Sequence, residues 1–250
     1  MTQLTILSES ERRLFDRPPI LNNEERRLYF NVTPEVRTAL ARIETPAYKV
    51  GFLLQLGYFK ANARFYQAPL FRGRDVDYVQ RLLTLDTVDL STYADTIPRR
   101  HRRRIRSLLN WQNVDAAARE ELVTQANRYV ANQEYPKRIF HGLIDLCWKR
   151  QWVIPSYFEL NSIITDSFNA ADRDLLGAVE SALTIHQTEH LEALLSPIQK
   201  TPKAGSPAAL TRLKRIDQSL KAGDIKRSMQ TLVLFRDHFF SVESALAILA

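Results

Sequence analysis

The sequence predicts an all-α fold: tandem small helical domains with helix-turn-helix-like units, followed by a further helical segment. Three observations carry this. Apolar residues recur three and four apart between breaks of Pro, Gly and Asn, the period of an amphipathic helix. Seven glycines in 250 residues are too few for a turn-rich sandwich or a Gly-rich nucleotide-binding fold. A hydrophobic content of 45% beside 25% charged residues is ordinary globular composition, which excludes wholesale disorder.

The elements follow in order. Ser8 caps a short helix with Glu9 and Glu11 in its first turn, and Pro18-Pro19 breaks the chain after it. Asn22 or Asn23 caps a second helix over Glu24–Phe30. Thr33-Pro34 starts a third, through Val36, Leu40 and Ile43, which Thr45-Pro46 stops. The run from Ala47 to Phe59 is apolar nearly all round. Its length favours a buried central helix over a strand, with Gly51 and Gly57 permitting close packing.

Pro69 to Gly73 reads as a loop, Asp75 to Leu85 as a helix, and Thr87 to Tyr93 as a short turn. A basic helix follows from Thr96, so helix, short link and basic helix read as a helix-turn-helix-like unit. Asp115 to Val130, a helix opened by Pro136, and Tyr157 to Phe168 form a second group of three. Asp172 to Leu195 is a long helix. Thr201–Pro207 is a linker, and Ala209–Leu220 and Asp224–Ala250 are helical again. The expected domains are therefore 1–112, 113–200 and 201–250. The apolar, uncapped end Ala247–Ala250 suggests a piece of a longer protein.

Charge singles out one stretch. The chain has 35 Lys+Arg against 28 Asp+Glu, a surplus of seven. Six of those cations are Arg99, Arg100, Arg102, Arg103, Arg104 and Arg106, with no acid among them. On a helix, His101, Ile105, Leu108 and Leu109 share one side. Arg99, Arg103, Arg106 and Asn110 share the other, with Arg100, Arg104 and Ser107 along a flank. A concentrated basic stripe is the footprint of a phosphate-backbone partner, and the arginine fork suits both phosphate and guanine. The first group thus nominates all six arginines with Ser107 and Asn110 as DNA-binding residues. The second nominates Ser156, Tyr157 and Asn161 on a polar face that also holds Ser162 and Thr165.

Other chemistry is thin. His186, Glu189 and His190 spell the H-x-x-E-H pattern of inverted zinc peptidases, but nothing nearby supplies a third ligand, so a polar helix surface is the expectation. Cys147 sits beside Trp148 on an apolar face, as a buried thiol does, and His101 falls on an inner face. There is no Gly-rich phosphate loop. The expectation is a chain that is not itself an enzyme and needs no cofactor. A single cysteine, no signal-peptide pattern and no apolar run approaching ~18 residues place it in the cytoplasm and off membranes.

Several stretches together resemble the N-terminal region of transposases from Tn-three-type (class II, replicative) bacterial transposons. They are Leu14-Phe15 with Pro18-Pro19, Asn23–Phe30, Gly51–Tyr58, Tyr93 with Arg100-His101-Arg102 and Ile105-Arg106, Trp152–Pro155, and Ser206–Leu213. The resemblance implies helical domains that recognise double-stranded DNA at the transposon's terminal inverted repeats. It also implies an acidic, divalent-metal catalytic triad in a downstream domain that this chain lacks. Apart from the resemblance, a helical segment after a linker often mediates self-association, and that is the expectation for the full-length protein. The density of arginine at 102–104 departs from the usual pattern. Two alternatives stand beside it: a short DNA-binding regulator of transposition, and a helical scaffold holding acidic protein or RNA.

Overall fold

The computed structural model describes residues 4–93, 96–183 and 185 of the chain. Among them are nine α-helices, two 3-10 turns and no strand, so the fold is all-α. The helices are α1 (Glu9–Phe15), α2 (Asn23–Tyr29), α3 (Pro34–Ala41), α4 (Pro46–Asn62), α5 (Gly73–Leu82), α6 (Thr96–Leu109), α7 (Ala116–Ala131), α8 (Pro136–Arg150) and α9 (Tyr157–Ala182). The chain divides into a compact unit, Met1–Ala171, and a second, Asp172–Ala250. The H-x-x-E-H motif, the 201–207 linker and the helices expected beyond it lie outside the described residues.

Capping follows the sequence. Ser8 and Asn22 each form a capping box, with Glu11 and Glu25 reaching back to the cap's backbone N–H. Thr33 accepts from the Val36 N–H ahead of Pro34. Where two helices were expected between Tyr157 and Leu195, α9 runs unbroken to Ala182. The residues joining the expected pair, Asn169-Ala170-Ala171, contain neither Gly nor Pro, so nothing stops the helix there.

Helix α4 is the hub of the first core. α2, α5, α6 and the 3-10 turn Leu90–Thr92 all pack on it. Phe52, Leu53, Leu54, Leu56 and Tyr58 are wholly buried, each burial stabilising by roughly 1.5–3 kcal/mol. Its glycines are where neighbours press closest. A Cβ on Gly51 would stand 2.6 Å from the Tyr93 ring, and one on Gly57 would stand 2.2 Å from Phe30. Gln55 is buried too, and its side-chain amide replaces a missing backbone partner. Its Nε2 donates to the Tyr66 carbonyl at 2.6 Å, and its Oε1 accepts from the Tyr66 N–H.

A second core gathers α7, α8 and α9 through Leu122, Ile139, Leu143, Cys147, Leu160 and Ile164. The chain's first residues belong here: Ile6 and Leu7 are buried in it, and Phe15 stacks edge-on to Phe140 at 5.2 Å. Trp111 packs against both cores, edge-on to Phe59 at 5.2 Å and to Trp148 at 5.1 Å. Backbone bonds reinforce that joint. Gln112 donates to the Gln151 carbonyl, Val153 donates to Gln112, and Ile154 donates to Ala63 at the end of α4.

The connection between α5 and α6 covers residues 83–95 and includes the 3-10 turn, longer than the ~3–4-residue turn of a helix-turn-helix. The two helices are held in place through α4 rather than by a tight turn between them.

Candidate nucleic-acid interface

Helix α6 presents two faces of opposite character. Pro98 falls in its first turn, where a missing N–H leaves no bond unmade. Pro98, His101 and Ile105 are buried, and Leu108 and Leu109 are half-buried beside them. His101 stands edge-on to Phe52 at 5.2 Å, and its Nδ1 lies 2.9 Å from the Tyr93 hydroxyl. Burial, then the nearby Arg104 charge, push the His101 imidazole down to about 4, so it is neutral near pH 7. Burial raises the Tyr93 phenol, so that hydroxyl keeps its proton and donates to Nδ1.

On the opposite face Arg99, Arg100, Arg103, Ser107 and Asn110 are exposed, flanked by the half-buried Arg104 and Arg106. None of Arg99, Arg100, Arg103, Arg104 and Arg106 joins an ion pair with the described residues. The cations crowd one another instead. Partial desolvation and Arg103 lower Arg106, and desolvation and Arg42, on a different helix end, lower Arg104. Arg99 also sits in the first turn, where no acid offsets the helix dipole; a cation there costs roughly 0.3–1 kcal/mol.

Two residues of the predicted set have other work. The Nη2 of Arg102 donates to the Tyr66 carbonyl at 3.3 Å, and its guanidinium lies 5.6 Å from the Phe65 ring centre, so it anchors α6 to the segment that follows α4. Asn110 adopts a left-handed conformation (φ 58°), and the Trp111 N–H behind it closes onto the Arg106 carbonyl at 2.8 Å. Asparagine tolerates that conformation and so ends the helix.

The second nominated set does not form a surface. Tyr157 and Asn161 are buried at 8% and 3% exposure, and Thr165 is buried with them. They lie on the α9 face that carries Leu160 and Ile164 into the second core, and the Tyr157 hydroxyl accepts from the Leu7 N–H. Ser156 is exposed, but its hydroxyl bonds Glu159 in the cap of α9. Polar residue type pointed outward; helical register points inward. Arg42, at the C-terminal end of α3, is a cation that sequence reasoning did not connect with α6, and its charge acts on Arg104.

Cys147 is wholly buried and its thiol is pushed up to about 12 by that burial, which leaves it unreactive. Among the described residues no group of three His, Cys, Asp or Glu side chains could hold a metal ion, and no helix is long and apolar enough to cross a membrane.

The fold and this face define a helical domain that displays a cationic helix over a packed apolar core. Residues 6–166 match the family described as a domain of unknown function, DUF4158, and the chain belongs to that family. The domain is found in Tn-three-family transposases. Comparison with curated proteins gives no match.

Proposed function

We propose that this chain binds double-stranded DNA through the exposed face of α6, as the end-recognition part of a replicative transposase whose catalytic domain lies elsewhere. One observation carries the proposal: five arginines on one helix meet no carboxylate among the described residues, while the other side of that helix is locked into the core. An uncompensated cationic ridge attracts phosphate by counterion release, and the positive end of the helix dipole adds to it. Occurrence of the family in Tn-three-family transposases supports the choice of DNA as the polyanion, and inverted repeats as its sequence.

Selection of bound duplexes from a random pool tests this. The recovered consensus should match the terminal inverted repeat of the element that encodes the chain. Recovery of no consensus, or equal displacement of the duplex by RNA and an unrelated polyanion, contradicts it.

A further inference from the structure

The N-terminal part of α6 borders a cleft of about 640 Å³, within the roughly 300–1,000 Å³ of pockets that take small ligands. One wall is α6 itself, through Pro98, Arg99 and Arg102. The other is a pair of 3-10 turns packed on each other, Ala68–Leu70 and Leu90–Thr92, with Gln67 and Asp89 at their starts. Both walls are fixed by the fold. Gln55 of α4 bonds the N–H and the carbonyl of Tyr66, the residue before Gln67, and Arg102 donates to the same carbonyl. Asp89 caps its turn: Oδ2 accepts from the Ser91 hydroxyl, and Oδ1 accepts from the Ser91 N–H at 2.8 Å. Those two bonds hold the Asp89 carboxyl below the usual range, so it is an anion at neutral pH, and each of its oxygens keeps a lone pair for a further donor.

The cleft thus sets a cationic wall against an anionic one. Arg99 and Asp89 are both exposed, and neither joins an ion pair among the described residues. A phosphate here would be repelled by Asp89, and an ammonium by Arg99 and Arg102. A flat, neutral group with acceptors on one edge and donors on another satisfies both walls. Unpaired guanine is such a group: O6 and N7 accept from an arginine fork, while N1–H and the N2 amine offer two adjacent donors to a carboxylate. Adenine and cytosine set one amine beside an acceptor, and thymine has a single N–H. Arg99 belongs both to this cleft and to the exposed arginine face, so DNA seated on α6 brings its bases to the opening.

We infer that the cleft between α6 and the two 3-10 turns takes one unpaired guanine of the bound DNA, its acceptor edge on Arg99 and its donor edge on Asp89. A base must leave its stack to enter, which costs least where it is already unpaired. This inference rests on the duplex-binding proposal above and adds to it a base-selective pocket beside the helix.

The test uses the full chain and three labelled duplex pools of random sequence: fully paired, with one central unpaired guanine, or with one central unpaired thymine. The guanine pool should bind roughly tenfold tighter than either of the others, the worth of one good bidentate contact. Asp89→Asn keeps a capping side chain, so it should melt like wild type while its preference for the guanine pool falls to about one. Equal affinity of the wild type for all three pools overturns the inference and leaves duplex binding standing. So does a guanine preference that survives Asp89→Asn in a folded variant, since the distorted DNA and not the cleft would then cause it. Titration with free dGMP separates the source of the base: Asp89-dependent binding of dGMP without a preference for the guanine pool overturns its origin in the DNA. If the wild-type chain binds none of the pools, both proposals fail together.

Discussion

The Tyr93 hydroxyl lies 2.9 Å from Nδ1 of His101, and through that bond the chain entering α6 is fastened to the helix's buried side. The Tyr93 ring also lies over Gly51, in the space a Cβ there would occupy, and His101 stands against Phe52. The orientation of the arginine face is therefore set by the packing of α6 on α4.

His101 makes stability depend on pH. Its folded-state value, about 4, is below the ordinary 6.5, so the folded protein binds fewer protons there than the unfolded chain. The stabilising contribution is present above pH ~6.5 and is lost as pH falls from there to about 4. Thermal melts across that range should show falling Tm in the wild type and a shallower fall in His101→Phe. Equal slopes for the two proteins would remove His101 from the explanation.

Gly57→Ala should destabilise by about 1–3 kcal/mol in urea unfolding, the usual cost of forcing extra volume into a packed core. Its Cβ would meet the Phe30 ring, which is wholly buried and has nowhere to swing. Phe30→Leu in the same background should recover part of the loss.

Asp75 is wholly buried, accepting from Arg26 Nε at 2.7 Å and from the Tyr58 hydroxyl at 2.8 Å. Asp75→Ala leaves a nearly buried guanidinium without its anion, and should cost about 3–5 kcal/mol by chemical denaturation. Arg26→Met with Asp75→Leu should cost less than either partner's removal alone, because no charge is then stranded.

Much of this architecture is legible in the sequence, and for local reasons. Capping boxes at Ser8 and Asn22 depend on residues three apart, and α4 shows itself by being apolar on every side. The arginine face was legible because six like charges and a 3.6-residue period together leave one arrangement. What was hidden depends on packing between distant segments. Asn161 and Tyr157 look like surface groups by type, yet both are buried on α9, where the Tyr157 hydroxyl meets the Leu7 N–H. Arg102 lies in the same run as its neighbours, but the Tyr66 carbonyl and the Phe65 ring draw it into the fold. Asn110 shares the arginine side by helical period, yet its left-handed backbone is what the helix end uses.

The most direct measurement of the central claim is arginine modification by a dicarbonyl reagent, read by mass spectrometry on the chain alone and on the chain bound to a selected duplex. Arg99, Arg100 and Arg103, exposed on α6, should react freely in the first and be protected in the second, while the exposed Arg13 and Arg27 react equally in both. Duplex-dependent protection that bypasses α6, or none at all, would contradict the account.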